Sequence, residues 1–118
     1  MPKNWWNRPD AMGVDRIYTN RGNKLFHLKR YEEAIGDFSR AINAYPPSDE
    51  LTYVSRAKAY YFTGKYKEAI QDFDRAIAFK PDSKRLYYDR ALAHRELGNF
   101  FAAQQDIGTS CALGGVCP

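Results

Sequence analysis

The chain has 118 residues, the length of one ordinary domain, and a formal net charge of +4. No run of about 18 apolar residues is present, so no helix spans a membrane, and Met1 to Trp6 carries one lysine but no apolar stretch, so it does not read as an intact signal peptide. The basic residues mostly alternate with acids, as on solvated helix faces, which argues against nucleic acid as a partner.

Residues 1–13 read as an N-terminal arm. Pro2, Pro9 and Gly13 argue against a long helix there. Trp5 and Trp6 are adjacent and would point to different sides of any regular element. They could cap the apolar side of the first helix pair, or lie in a binding groove of this molecule or a neighbour.

The first helix is expected to begin between Asp10 and Asp15 and to end at Leu28, because Val14, Ile17, Tyr18, Leu25, Phe26 and Leu28 recur mainly at three- and four-residue steps. After a turn at Lys29 and Arg30, a second helix runs from Tyr31 to Ala44. Glu32 and Glu33 lie in its first turn, where the helix dipole favours anions, and Pro46 and Pro47 end it. A third helix starts near Ser48 or Asp49, both suited to an N-cap, and ends at Gly64. A fourth runs from Tyr66 to Phe79 and stops at Lys80 and Pro81. Asp82 or Ser83 caps a fifth, which ends at Gly98. A sixth runs from Phe100 to Leu113, and Gly114 and Gly115 break it. Connections this short make neighbouring helices antiparallel.

The helices repeat. Ala34, Ala69 and Ala103 correspond, as do Asp37, Asp72 and Asp106, at offsets of 35 and then 34 residues. Self-similarity at that period signals a stacked helical solenoid, and about three units are needed to bury a common core. Nine Tyr and seven Phe supply large buried areas for so short an array. Gly22, Ala57 and Ala91 are small where the two helices of a pair cross, and Ala34, Ala69 and Ala103 are small opposite them. Arg21, Arg56 and Arg90 also recur, each three residues after Tyr18, Tyr53 or Tyr87, and each is expected to pair with one of the recurring aspartates.

The units resemble the tetratricopeptide repeat. Unit two carries Tyr53, Ala57, Tyr60, Gly64, Tyr66, Ala69, Phe73, Ala76 and Pro81 at the positions of that pattern. Unit one carries Tyr18, Gly22, Leu25, Tyr31, Ala34, Phe38, Ala41 and Pro46, with Lys29 where glycine is usual. Unit three carries Tyr87, Ala91, His94, Gly98, Phe100 and Ala103. It then drifts to Ile107, Ser110 and Gly115. The Tyr-x-x-Arg-Gly/Ala form looks like bacterial versions of the family. The resemblance implies an all-α, right-handed α-solenoid of three antiparallel helix pairs, with repeats at 14–48, 49–82 and 83–113 and a tail at 114–118. No polar capping helix follows the sixth helix in this sequence.

It also implies that the first helix of each pair lines a concave groove. The residues on that side are Arg16, Thr19, Asn20, Asn23, Phe26 and His27, then Leu51, Val54, Ser55, Lys58, Tyr61 and Phe62, then Arg85, Tyr88, Asp89, Leu92 and Arg95. Aromatic and basic groups mix with hydrogen-bonding ones, which suits a peptide segment of another protein with apolar anchors and acidic groups. The alternative is a wetted helix face with Tyr61 and Phe62 partly used in packing. Some family members hold chaperone tails ending in Glu-Glu-Val-Asp through a carboxylate clamp. The matching positions here are Thr19, Asn23, Ser55, Arg85 and Asp89. Only Asn23 matches outright, Arg85 keeps its charge and Asp89 reverses it, so that clamp is not expected.

No catalytic constellation is visible. His27 and His94 are the only histidines, and there is no His-Glu-x-x-His pair, no nucleophile elbow and no phosphate-binding glycine loop. His94 stands where an intra-pair aromatic would, and reads as a packed histidine. The expectation is a non-enzymatic adaptor or scaffold with no cofactor and no metal. A self-associating building block, formed through the arm and the last helix, is the alternative. Cys111 and Cys117 have five residues between them, which is neither a zinc nor a redox spacing. They read as two thiols near a frayed end, which leaves the cytoplasm favoured, or as a disulfide tying the tail to the last helix, which implies an oxidising compartment such as the periplasm.

Overall fold

The structure is a computed structural model and describes residues 14–44, 50–115 and 117, with the side chains of residues 14 and 15 left aside. The Trp5–Trp6 arm, the Pro46–Pro47 stop and the Ser48 or Asp49 cap lie outside these residues. Six helices are found and no strand occurs among the described residues: α1 (Val14–His27), α2 (Tyr31–Ala44), α3 (Glu50–Phe62), α4 (Tyr66–Phe79), α5 (Lys84–Glu96) and α6 (Phe100–Ala112). They pack in chain order. Each of the pairs α1–α2, α3–α4 and α5–α6 is tight, and α2 meets α3 as α4 meets α5.

The core is built mostly of alanine. Ala34, Ala41, Ala57, Ala69, Ala76, Ala91 and Ala93 are buried, with Phe38 and Phe73 as the large side chains among them. Small side chains let helix axes approach closely, and the two phenylalanines fill what remains. Gly22 shows how tight the crossing is. A Cβ placed there would lie 2.7 Å from Cε1 of Phe38.

The turns follow one rule. Gly64 and Gly98 take φ of 81° and 82°, and Lys29 takes 62° at the corresponding place in the first pair. At each, the next residue's N–H reaches back five residues: Arg30 to the Leu25 carbonyl, Lys65 to Tyr60 and Asn99 to His94, at 2.8–2.9 Å. This is the Schellman closure, which needs a left-handed residue. Gly114 repeats it at the end of α6, where the Gly115 N–H donates to the Ser110 carbonyl at 2.8 Å. Ser83 does occupy the N-cap of α5, but its side chain makes no capping bond. The backbone supplies the entry instead, with the Leu86 and Tyr87 N–H groups donating to the Ser83 carbonyl.

The recurring arginines and aspartates pair within each unit. Arg21 grips Asp37, Arg56 grips Asp72 and Arg90 grips Asp106, each through two N–H···O bonds of 2.7–2.9 Å. Each guanidinium also sits over a tyrosine ring of its own helix: Tyr18, Tyr53 or Tyr87, at 5.5–6.0 Å. Two of them reach into the preceding pair. The Arg56 Nη1 donates to Ser39 Oγ at 3.1 Å, and the Arg90 Nη1 to Asp74 Oδ1 at 2.7 Å.

Cys111 and Cys117 are joined by a disulfide with a Cα–Cα distance of 4.8 Å. It folds the tail back over the end of α6, where Lys84 Nζ donates to the Gly114 carbonyl at 3.4 Å.

Candidate peptide-binding groove

α1, α3 and α5 are the first helices of their pairs, and two adjoining clefts open along them. The larger, of about 340 Å³, is lined by Phe26, Lys58, Tyr61, Phe62, Arg85, Asp89 and Leu92, with Phe73 beneath. The smaller, of about 190 Å³, is lined by Asn23, Phe26, His27, Ser55 and Lys58. Phe26 and Lys58 belong to both, so the clefts form one continuous surface across the three pairs.

Ten of the expected groove residues are brought together this way. The clefts do not take in Arg16, Thr19, Asn20, Leu51, Val54, Tyr88 or Arg95. Arg16, Asn20, Leu51 and Arg95 are exposed away from them, and Val54 packs on the central core instead. Thr19 and Tyr88 are half-buried outside the lining. Phe73 is the residue that sequence reasoning missed. The sequence names it only as a position of the repeat pattern; it is buried, and it also forms the floor of the larger cleft.

The apolar rim is an aromatic cluster shared by two units. Phe62 stacks on Tyr31 at 5.2 Å between ring centroids and meets Phe26 edge-on at 5.8 Å. Tyr61 meets Phe62 at 5.6 Å and Tyr66 at 5.4 Å. These contacts hold the rings in place while leaving Phe62 56% exposed. The Tyr61 hydroxyl is pushed above its ordinary range, first by burial and then by the nearby Glu96 carboxylate.

Asp89 is the one acid of the lining. Burial pushes its carboxyl up, against the pull of Arg85 and Lys58. Arg85 Nε donates to its Oδ1 at 3.2 Å. Its Oδ2 is closed off from solvent and meets no hydrogen-bond partner among the described residues. His94 lies outside the groove, 17% exposed, with Nε2 3.9 Å from Asp106. It belongs to the packing between α5 and α6. Among the described residues no group of three His, Cys, Asp or Glu side chains gathers to hold a metal ion, and no helix is long and apolar enough to cross a membrane.

The chain matches the model of the tetratricopeptide repeat over residues 16–46 and that of the TPR repeat over residues 57–98. Comparison with curated proteins gives no match. Among solved structures it is similar to the second TPR of Spaghetti (RPAP3), solved bound to the HSP90 peptide SRMEEVD. The two are 32% identical with a TM-score of 0.78, over 86% of this chain and 93% of that one. It is also similar to the second TPR domain of human RPAP3, in complex with the HSP70 peptide SGPTIEEVD, at 31% identity and a TM-score of 0.76, over 84% of this chain and 85% of that one. MamA, at 22% identity and a TM-score of 0.80 over 86% of this chain and 58% of that one, shares the fold. The repeat register, the Schellman turns, the alanine-lined crossings and these matches agree, and the chain belongs to the tetratricopeptide repeat family.

Proposed function

We propose that the protein is a non-enzymatic interaction module that binds a peptide segment of a partner protein in the groove of α1, α3 and α5. The observation that carries this reading is the continuous cleft in which exposed Phe62 stands beside Lys58 and Arg85. Apolar surface beside fixed charge and hydrogen-bonding groups is what an extended or helical peptide needs for affinity and register. The solved relatives that hold peptides support the same use of the fold. Acidic groups of the partner would lie over the Asn23, Ser55 and Lys58 side, and apolar anchors against Phe26 and Phe62.

The test is capture of peptides by the wild type beside Lys58→Glu combined with Phe62→Ala, with circular dichroism to show intact helix. Peptides held by the wild type and lost by the folded variant support the groove. An identical catch from both moves binding to another surface.

Self-association is the second reading. Phe100 and Phe101, at the start of α6, are exposed, as is Leu97 in the turn just before them. Neighbouring exposed apolar side chains suit contact with a second copy. Sedimentation equilibrium over a hundredfold range of concentration separates the readings, because a pure adaptor keeps the mass of a monomer.

A further inference from the structure

We propose that the outer face of α6 is a self-docking surface, on which a second copy of the chain lays its own α6 antiparallel about a two-fold axis. The proposal rests on the self-association reading above and names its surface and geometry. The repeat supplies an internal control. α2, α4 and α6 are the second helices of their pairs, and their outer faces compare position by position. α2 exposes Glu32, Glu33 and Arg40, and α4 exposes Lys67, Glu68, Asp74 and Arg75. The same positions of α6 hold Phe101, Ala102, Gly108 and Thr109. The one charged residue of α6, Asp106, is buried against Arg90. A face that only meets water keeps its charges, as α2 and α4 do. α6 exposes none, and carries instead Phe101, 77% exposed and the most exposed large apolar side chain among the described residues. An aromatic ring on a face without charge is the composition of an interface core.

Gly108 points the same way. Glycine in the middle of a helix costs stability, and neither usual reason for one applies. Its backbone is not left-handed, and no packing neighbour among the described residues comes within 4 Å of where a Cβ would sit. At Gly22 the Phe38 ring fills that place. A bare backbone on an open face allows a close approach from outside the chain. The order of residues along the face commits it to a second copy. Phe101, Gln105, Gly108 and Ala112 are spaced i, i+4, i+7 and i+11, so they form one exposed stripe. The stripe runs from large to small. Laid antiparallel on itself, it sets each Phe101 over Ala112 of the partner subunit and each Gln105 over the partner's Gly108, so bulk meets space at each step. A two-fold contact must be complementary to itself, and a face without charge sets no like charges together. The tail leaves the stripe open: Gly115 donates to the Ser110 carbonyl, Gly114 accepts from Lys84, and Ala112 stays exposed. α6 contributes nothing to the groove. The pair therefore carries two open grooves, and linked sites raise avidity for a partner that bears its segment twice.

The test is sedimentation equilibrium of the full chain over a hundredfold range of concentration, with circular dichroism to show intact helix. The wild type should pass from monomer to dimer mass. Phe101→Lys, which gives α6 the α4 residue at that position, should weaken the dimer at least tenfold. Gly108→Gln should do the same while raising the urea midpoint of the dilute monomer, which separates lost association from lost folding. Phe101→Lys combined with Ala112→Glu should associate at least threefold more tightly than Phe101→Lys alone. Only the antiparallel contact brings those two positions together, since on their own helix they lie about three turns apart. A dimer that either Phe101→Lys or Gly108→Gln leaves unweakened overturns the α6 assignment and leaves the self-association reading standing. Weakening without recovery in the double variant overturns the antiparallel arrangement. Growth beyond a dimer overturns the two-fold contact, which closes on itself. A wild type that stays monomeric throughout overturns the assignment and the self-association reading together, and leaves the uncharged face to a different protein.

Discussion

Arg56 holds Asp72 by two parallel bonds, Nε to Oδ2 at 2.7 Å and Nη2 to Oδ1 at 2.9 Å, and both side chains are largely buried between α3 and α4. Burial disfavours the charged guanidinium, yet the bonds to Asp72 outweigh it and raise its pKa. Without Arg56, buried Asp72 keeps only the bond from the exposed Arg75, Nη1 to Oδ1 at 2.9 Å. Arg56→Met should therefore lower stability by about 3 kcal/mol, at the low end for breaking a buried pair, read as a shifted urea midpoint. Adding Asp72→Leu should recover part of the loss, because the under-compensated carboxylate goes too.

Lys29 occupies a left-handed position where the other two units have glycine. A side chain there crowds the backbone, and glycine relieves it. Lys29→Gly should raise stability by about 0.5–1 kcal/mol, measured by thermal or urea unfolding. Gly64→Ala should lower it by a similar amount.

Gly22→Ala should cost about 1–3 kcal/mol. The new methyl meets the edge of Phe38, which is fully buried and has no room to withdraw. Pairing it with Phe38→Leu should return part of the loss, and chemical denaturation of the double variant checks this.

Two aspartates should answer pH in opposite directions. Burial raises the Asp89 carboxyl above its ordinary value, opposed by Arg85 and Lys58. The folded state then binds more protons than the unfolded one between the ordinary and the raised value, so this group's contribution is full in acid and lost as pH rises through that window. Asp37 is the reverse. The hydrogen bond from Arg21 leads in holding it low, with Arg40 assisting against burial. Its contribution is present above the ordinary carboxylate value and lost as pH falls through the lowered one. Asp89→Asn should thus be more stable than the wild type at neutral pH, by about 1 kcal/mol, and the gap should close in acid. Asp37→Asn should be less stable at neutral pH, with a gap that also narrows in acid. Urea midpoints across a pH series read both.

Most of the fold was legible because a repeat states its own register three times. Ala34, Ala69 and Ala103 located the crossings, and the shared spacing of Arg21 with Asp37, Arg56 with Asp72 and Arg90 with Asp106 foretold the pairs. Lys29 could be placed only by alignment with Gly64 and Gly98. The groove was legible in part. Period alone puts Val54 and Phe62 on one side of α3, but Val54 turns into the core while Phe62 stays at the rim, and that depends on how far the next pair leans. Phe73 was missed because a buried ring on the second helix of a pair carries no sign that a cleft ends on it. The free oxygen of Asp89 depends on the depth of one side chain, which no spacing encodes.

The arginine ladder has a direction. Arg56 and Arg90 each reach back into the pair before them, and their side chains are 15% and 21% exposed. Arg21 is 57% exposed. In a stacked array each unit borrows stability from its neighbours, and the Arg56 and Arg90 bonds tie the second pair to the first and the third to the second. The most solvent-exposed grip of the three is the one on α1, so melting should start there and travel towards α6, while the second and third pairs come apart together. Amide protons would record this as early exchange in α1 and late, simultaneous exchange in α4 and α5. A groove whose first wall loosens before the others can admit a ligand from that end while Asp89 and Arg85 stay in place.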